Sequence, residues 1–232
     1  MHWFFAHRIE GDQAFFSVDE TRHLTQVLRN KTGDEVHFVD GKGGQYTGII
    51  MEAGKRGARA TILHSHIQQD RSYQLHLAVA PTKNINRLEW LLEKATELGV
   101  EVITPVRCAH SERTKVRPDR LERILLSAMK QSLQAHLPRL RELQPLEDFL
   151  MQDHRGQGFI AWCGAEDLPR LQHNYRRGED VTLLIGPEGD FTPEEVRLAK
   201  DRGYEPVSLG PNRLRTETAA LVACTIVNTM NQ

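Results

Sequence analysis

Cysteine is scarce in this 232-residue chain: Cys108, Cys163 and Cys224 stand far apart, odd in number and with no CxxC pair. That excludes a disulfide framework and a thiolate zinc site, and reduced thiols are the simple reading. Long apolar runs are missing too. The longest, roughly 219–227, is too short to span a bilayer. The opening Met1-His2-Trp3-Phe4-Phe5 lacks the basic stretch and sustained apolar core of a secretory signal. A soluble cytoplasmic protein with no membrane and no metal is expected. Neither GxGxxG nor GxxxxGK[ST] occurs, so the dinucleotide fingerprint and the P-loop are absent. Net charge is only -1 at pH 7, so bulk charge names no partner.

What is present is ordinary in amount and ordered in arrangement. A hydrophobic fraction of 39% with 26% charged residues suits a folded protein, and the length allows one large domain or two small ones. Residues 1–70 read as β-rich. Short runs at Ala14–Val18, Glu35–Val39 and Arg59–Leu63 are separated by the turn signals Glu10-Gly11-Asp12, Thr32-Gly33-Asp34 and Asp40–Gly44. This spacing predicts a small barrel, interrupted by a helix near Glu20–Leu28. Polar residues Gln68–Ser72 suit a linker.

From residue 73 to 232 the rhythm changes to alternating strands and helices, which argues for an α/β domain with a parallel sheet covered on both faces. Strands are predicted at Leu75–Ala80, Val100–Val106, Phe159–Cys163, Val181–Ile185 and Val207–Leu209. Helices are predicted at Asn86–Leu98, with an Asn86–Glu89 capping box and a closing Gly99, and at Arg120–Leu133. Thr192-Pro193-Glu194-Glu195 opens another helix, and Thr216–Met230 is a largely apolar last one. Phe159 and Trp162 are expected in the core, although Trp162 at a strand end can line a pocket. Trp90 is expected to pack. The His64-Ser65-His66 pair lacks a carboxylate neighbour and is read as solvated or packed.

Two segments carry the chemistry. Ile185-Gly186-Pro187-Glu188-Gly189-Asp190-Phe191 links a buried strand to a capped helix, and Leu209–Ala219 repeats the arrangement with Gly210 and two arginines, Arg213 and Arg215. Ligands of open α/β sheets sit outside the carboxyl ends of strands, and glycines let a ligand approach the backbone. Either loop alone is a weak signal. Together they predict one crevice, with Thr216 able to cap the last helix, but they do not name its ligand.

The same residues carry a resemblance. Ile185–Gly189 with Leu214-Arg215-Thr216-Glu217-Thr218-Ala219 resembles the SPOUT (α/β-knot) methyltransferases, and most closely the RsmE family of small-subunit ribosomal RNA methyltransferases. His23-Leu24 with Val27-Leu28-Arg29, Lys94–Val100 with Pro105, Glu112-Arg113, and Gln131-Ser132 through Pro138 are similar to further motifs of that family. The resemblance implies a PUA-like N-terminal barrel (1–70), and a SPOUT methyltransferase domain (73–232) tied in a deep trefoil knot. It also implies a homodimer, with S-adenosylmethionine in the knot loops. The implied reaction is methylation of N3 of one uridine in the decoding region of 16S rRNA, in the assembled 30S subunit. Cofactor contacts then fall on Trp162, Ile185, Gly186, Glu188, Gly189, Leu209, Gly210, Leu214, Arg215, Thr216 and Ala219. Three departures stand out: Asp190 where the family usually has glycine, Leu133-Gln134 after Gln131-Ser132, and Asn212-Arg213 in place of an Arg-Ile pair.

Within that chemistry Arg215 is the candidate for stabilising charge on the base, with a purely structural role as the alternative. Glu217 is a candidate proton acceptor or a brace for Arg215, and Glu188 a loop brace or a cofactor contact. Residues 107–141 hold nine Lys or Arg against three acids, whereas 142–200 hold twelve acids against six bases. Segregated charge favours a phosphate-binding surface, with Arg113, Lys115, Arg117, Arg120, Arg123 and Lys130 as candidates, extended by Arg22 and Arg29. His110 and His136 lie in the same basic segment. Two other classes remain open: a ribose 2′-O methyltransferase and a non-catalytic RNA-binding module.

Overall fold

Alternation in and out of a sheet governs the first part of the chain. In the computed structural model, which describes every residue but Met1, Asp70 and Glu166, Phe4, Ala6, Ala14, Phe16, Val36, Phe38, Ile50 and Ala60 are all buried in one cluster. They come from strands β1 (Trp3–Glu10), β2 (Gln13–Phe16), β3 (Glu35–Val39), β4 (Gly44–Gly54) and β5 (Gly57–Ile67). These strands close a barrel in the order β1-β2-β5-β4-β3, with the one parallel pairing, β1 to β3, making the closure. Closure removes the exposed sheet edges that invite aggregation. Phe16 meets Phe4 and Phe38 edge-on, at 6.4 and 5.2 Å between ring centres.

The helix expected near Glu20–Leu28 starts earlier and divides. Helix α1 (Val18–Arg22) is capped by Ser17, whose hydroxyl oxygen accepts from Glu20 N, and a π-helical turn follows at His23–Val27. Two strands were hidden from the sequence reading. In β1 the side chains of Phe5 and Ile9 stay partly exposed, and β4 opens on Gly44 and carries Gly48 within it, so neither shows a clean period of two. Residues Met1–Asp70 form one compact unit together with Leu126–Leu137, where Met129 and Ala135 pack on Val39. Inside this unit the Glu20 carboxylate is buried. It accepts from Phe5 N at 3.2 Å and pairs with the Lys130 ammonium.

The second unit, Arg71–Leu125 with Pro138–Gln232, is the α/β part. Its elements run β6 (Leu75–Val79), α2 (Ile85–Glu97), β7 (Val102–Arg107), α3 (Pro118–Gln131), β8 (Arg139–Leu140) and β9 (Gln144–Pro145). They continue with α4 (Leu146–Leu150), β10 (Gln157–Ala161), α5 (Leu171–Asn174), β11 (Val181–Ile185), α6 (Pro193–Asp201), β12 (Tyr204–Val207) and α7 (Thr216–Met230). The sheet order is β12-β10-β11-β6-β7-β8, with β9 also pairing β7, and its pairings are parallel. Strand β11 is buried along its whole length, as a central strand covered on both faces must be.

Helix α2 departs from expectation at its start. Asn84, not Asn86, is the N-cap and accepts from Asn86 N at 3.0 Å, while Glu89 turns to Arg120. Gly99 takes φ +74 and closes the helix as expected. Leu88, Leu91, Leu92 and Ala95 form the buried face. Trp90 lies off that face and is 46% exposed, a correction to its expected packing. Thr192 and Glu195 make the reciprocal capping box of α6. Among the described residues no helix is long and apolar enough to cross a membrane.

Lys130→Met should lower unfolding free energy by about 3 kcal/mol, because it leaves the Glu20 carboxylate buried without its counter-charge. Denaturant titration checks this; an unchanged midpoint would mean that the pair contributes nothing to stability.

Candidate functional site

Strands β12, β10 and β11 are neighbours and parallel, so their carboxyl ends open on the same side of the sheet. The loops that follow them, 162–170, 186–191 and 208–215, enclose a cavity of about 1070 Å³. Backbone and small residues form much of its wall, with Trp162, Ile185, Leu209 and Leu214 as apolar surfaces and Arg170, Arg213 and Arg215 as cations. Such a volume, with a mixed apolar and polar lining, suits a ligand of nucleoside size.

Two side chains hold the loops in place. The Thr216 hydroxyl donates to the Gly186 carbonyl oxygen at 3.1 Å, in a fully buried position. Thr216 therefore does not cap α7; Arg215 occupies the N-cap position with no side-chain bond, a correction to the sequence reading. Asp190 has φ +63, the left-handed conformation that glycine adopts without strain and Asp or Asn tolerate best among the rest. Its carboxylate accepts from Phe191 N at 2.8 Å and from Cys163 N at 3.0 Å, tying the 186–191 loop to the end of β10. Partial burial and the Asp190 carboxylate push the Cys163 thiol up, with Arg213 opposing, so the neutral thiol is favoured.

Glu188 lines the cavity, and its carboxylate accepts from Lys83 N at 3.0 Å, bracing the segment after β6. Gly189 is the one expected contact that does not line the cavity. It packs instead under His110, whose Nδ1 lies 3.0 Å from the carbonyl oxygens of Gly189 and Asp190. A Cβ on Gly189 would stand 2.8 Å from the His110 Cβ, so the glycine is there for close approach. His110 is thus engaged in the loop rather than free for a partner. Trp162, Ile185, Gly186, Leu209, Gly210, Leu214, Arg215, Thr216 and Ala219 all line the cavity.

Arg215 is exposed at the cavity wall, and no hydrogen bond or ion pair holds its guanidinium among the described residues. Glu217 is elsewhere. It is buried beside Arg87 of α2 at 3.6 Å and is not part of the cavity wall. Helical geometry explains this: two residues past Arg215, the side chain leaves on a different face of α7. The sequence reading missed the third wall, including Leu168 and Arg170. Its signal was the carboxyl end of β10, already marked by Trp162.

The basic candidates divide. Arg113 donates to the carbonyl oxygens of Thr82 at 2.9 Å and Lys83 at 2.6 Å, Arg120 pairs with Glu89, and Lys130 is the partner of Glu20. These three shape the protein from within. Lys115, Arg117 and Arg123 are exposed with no partner among the described residues, as is Arg29, and Arg22 lies 3.9 Å from Asp19 at the surface.

Comparison with known proteins places this geometry. The pattern of an RNA methyltransferase domain matches residues 69–228, and that of an RNA methyltransferase PUA domain matches 16–63. Ribosomal RNA small subunit methyltransferase E of Mycobacterium bovis is 30% identical over 230 residues, covering 92% of this chain and 85% of the relative. The crystal structure of a probable rRNA-methyltransferase from Porphyromonas gingivalis is 38% identical, with a TM-score of 0.90 over 100% of this chain and 98% of that one. The ribosomal RNA small subunit methyltransferase E of Neisseria gonorrhoeae, solved bound to S-adenosyl methionine, is 28% identical with a TM-score of 0.85 and covers 100% and 98% of the two chains.

Thr216→Val should cost about 1–2 kcal/mol, since the Gly186 carbonyl loses its buried donor. The denaturation midpoint should fall with its slope unchanged. An unaltered midpoint would show that the two loops do not depend on this bond.

Proposed function

We propose that this chain, which belongs to the ribosomal RNA small subunit methyltransferase E family, methylates N3 of one uridine in the decoding region of 16S rRNA, using S-adenosylmethionine. The observation that carries the reading is the cavity at the carboxyl ends of β10, β11 and β12. Its lining fits the methyl donor: apolar walls for a purine and a methionine stem, with loop backbone for polar contacts. In this reading the enzyme acts in the cytoplasm as a homodimer on the 30S subunit. Residues 1–70 serve as the RNA-docking barrel and 73–232 as the methyl-transfer domain.

Trp162, Ile185, Gly186, Leu209, Gly210, Leu214 and Ala219 are the residues that would hold the donor, with Thr216 and Asp190 keeping their loops in register. When bound, S-adenosylmethionine supplies an electrophilic methyl group on a sulfonium sulfur. The protein's share of the work is then to hold the base in line with it and exclude water. N3 of uridine carries a proton whose loss leaves negative charge over the ring oxygens. Of the three arginines lining the cavity, Arg215, at the start of α7, is assigned the role of stabilising that charge. Glu217 is paired with Arg87 and does not line the cavity, so in this reading the N3 proton passes to solvent rather than to that carboxylate. Lys115, Arg117, Arg123, Arg22 and Arg29 supply phosphate contacts.

Arg215→Ala should reduce methyl transfer to 30S subunits by a factor of about 100 or more while binding S-adenosylmethionine as the wild type does. Mapping methylated nucleotides in rRNA from a deletion strain, with and without the complementing gene, tests the target. A methyl group on a ribose oxygen would overturn the base assignment, and failure to bind millimolar S-adenosylmethionine would overturn the enzyme reading.

A further inference from the structure

The parallel sheet has a second opening, at the opposite ends of its strands. Gln74 and His76 stand at the start of β6, Val181 and Thr182 at the start of β11, and Tyr204 at the start of β12; together they border a cavity of about 370 Å³. Ligand sites of parallel sheets belong at the carboxyl ends, so the methyl donor has no use for this one. What distinguishes it is charge. Arg139 and Arg141 line it, and both come from the basic segment that the proposed function left without a role.

Arg139 N donates to the Glu101 carbonyl oxygen at 2.9 Å and Arg141 N to that of Ile103 at 2.8 Å. The two residues therefore continue one strand pairing at alternate positions, with their side chains on one face. Neither guanidinium has an ion-pair or hydrogen-bond partner among the described residues, although an edge strand offers them open solvent and the cavity both. Arg155 adds a third cation. Two carboxylates also border the space: Asp180 already accepts from Gln74 N at 2.7 Å, and Asp153 is exposed.

The imidazoles show what this environment favours. His76 is held 2.7 Å from Thr104 Oγ1, and burial, with Arg141 and Arg139 beside it, pushes its pKa down to about 3. It is a neutral hydrogen-bonding group in a positive field. His154 lies 3.1 Å from the Arg202 carbonyl oxygen through Nε2, which must carry the proton to donate there. Its Nδ1 is buried and has no partner among the described residues. Buried polar atoms left in that state call for an explanation, commonly an absent ligand or water. A ligand seated in the cavity would give this nitrogen a partner.

We propose that Arg139, Arg141 and His154 form a phosphate-binding site, distinct from the methyl-donor cavity, that takes the phosphate group of a free polyphosphate or of an RNA backbone. Forked guanidinium donors suit phosphate oxygens, and the volume admits a phosphate with one further group attached. The site stands on its own chemistry, whether or not the methyl-transfer reading holds.

The test uses the full chain, with pyrophosphate and a single-stranded RNA oligonucleotide as separate probes at constant ionic strength. Calorimetry measures affinity for wild type and for Arg139→Gln combined with Arg141→Gln. Nitrogen NMR of the wild-type His154 ring gives a readout that needs no variant. The expected result is a shifted Nδ1 resonance on binding and an affinity loss of about tenfold or more in the double variant. A response to pyrophosphate alone identifies a free anion as the occupant; a response to RNA identifies a backbone phosphate. If neither probe changes the His154 signal, or the double variant binds both as the wild type does, the proposal is overturned.

Discussion

The buried bond from the Thr216 hydroxyl to the Gly186 carbonyl oxygen joins loops that no strand pairing connects. Strand β11 ends at Ile185 and helix α7 begins at Thr216, so this one contact fixes where the last helix starts relative to the centre of the sheet. Asp190 does the same toward β10 through Cys163 N, and Glu188 toward β6 through Lys83 N. Each tie uses a side chain from one loop and a main-chain group from another. The cavity walls can therefore be glycine-rich and close to a ligand without being slack, since their order comes from these cross-links rather than from side-chain packing.

Much of this arrangement was readable from local pattern, and the exceptions share a cause. Strand β11 is apolar but for Thr182 and α6 carries its own capping box, so both appear in the sequence almost to the residue. The sequence pattern places β12 late, at Val207–Leu209; in the sheet it runs Tyr204–Val207 as an edge strand, where Pro206 is tolerated. Asn84 rather than Asn86 caps α2, a choice between two asparagines that the approach of Arg120 to Glu89 helps decide. Glu217 found Arg87 on another helix, and no local spacing announces such a partner. Residue types mark the two glycine loops and Trp162 at the end of β10; the sheet order shows that the third wall extends on to Leu168 and Arg170.

Charge segregation along the chain is a poor guide to the duty of individual residues. Of the basic segment, Arg113 stitches a loop through two carbonyl oxygens and Lys130 neutralises a buried carboxylate, so neither can be removed without loosening the fold. Lys115, Arg117 and Arg123 remain at the surface, while Arg139 and Arg141 turn to a cavity at the opposite end of the sheet from the glycine loops. One run of like charge thus serves three physical purposes. Counting it gives the sign of a field but not its location.

The place of β11 in the sheet has a consequence for how the protein is made. It lies between β6 and β10, with Val181 paired to Leu75. On the ribosome β6 emerges first, and at about 5–20 residues per second its partner follows roughly 5–20 s later. During that interval the apolar β6 has no neighbour on one side, and closing so long a loop is slow even after release. A nascent chain in this state exposes both a sticky edge and an unfilled core. The N-terminal barrel closes largely from strands adjacent in sequence and waits only for the Leu126–Leu137 segment to complete its unit. The newborn protein therefore spends its most vulnerable seconds half folded, a natural client for chaperones that shield hydrophobic strands.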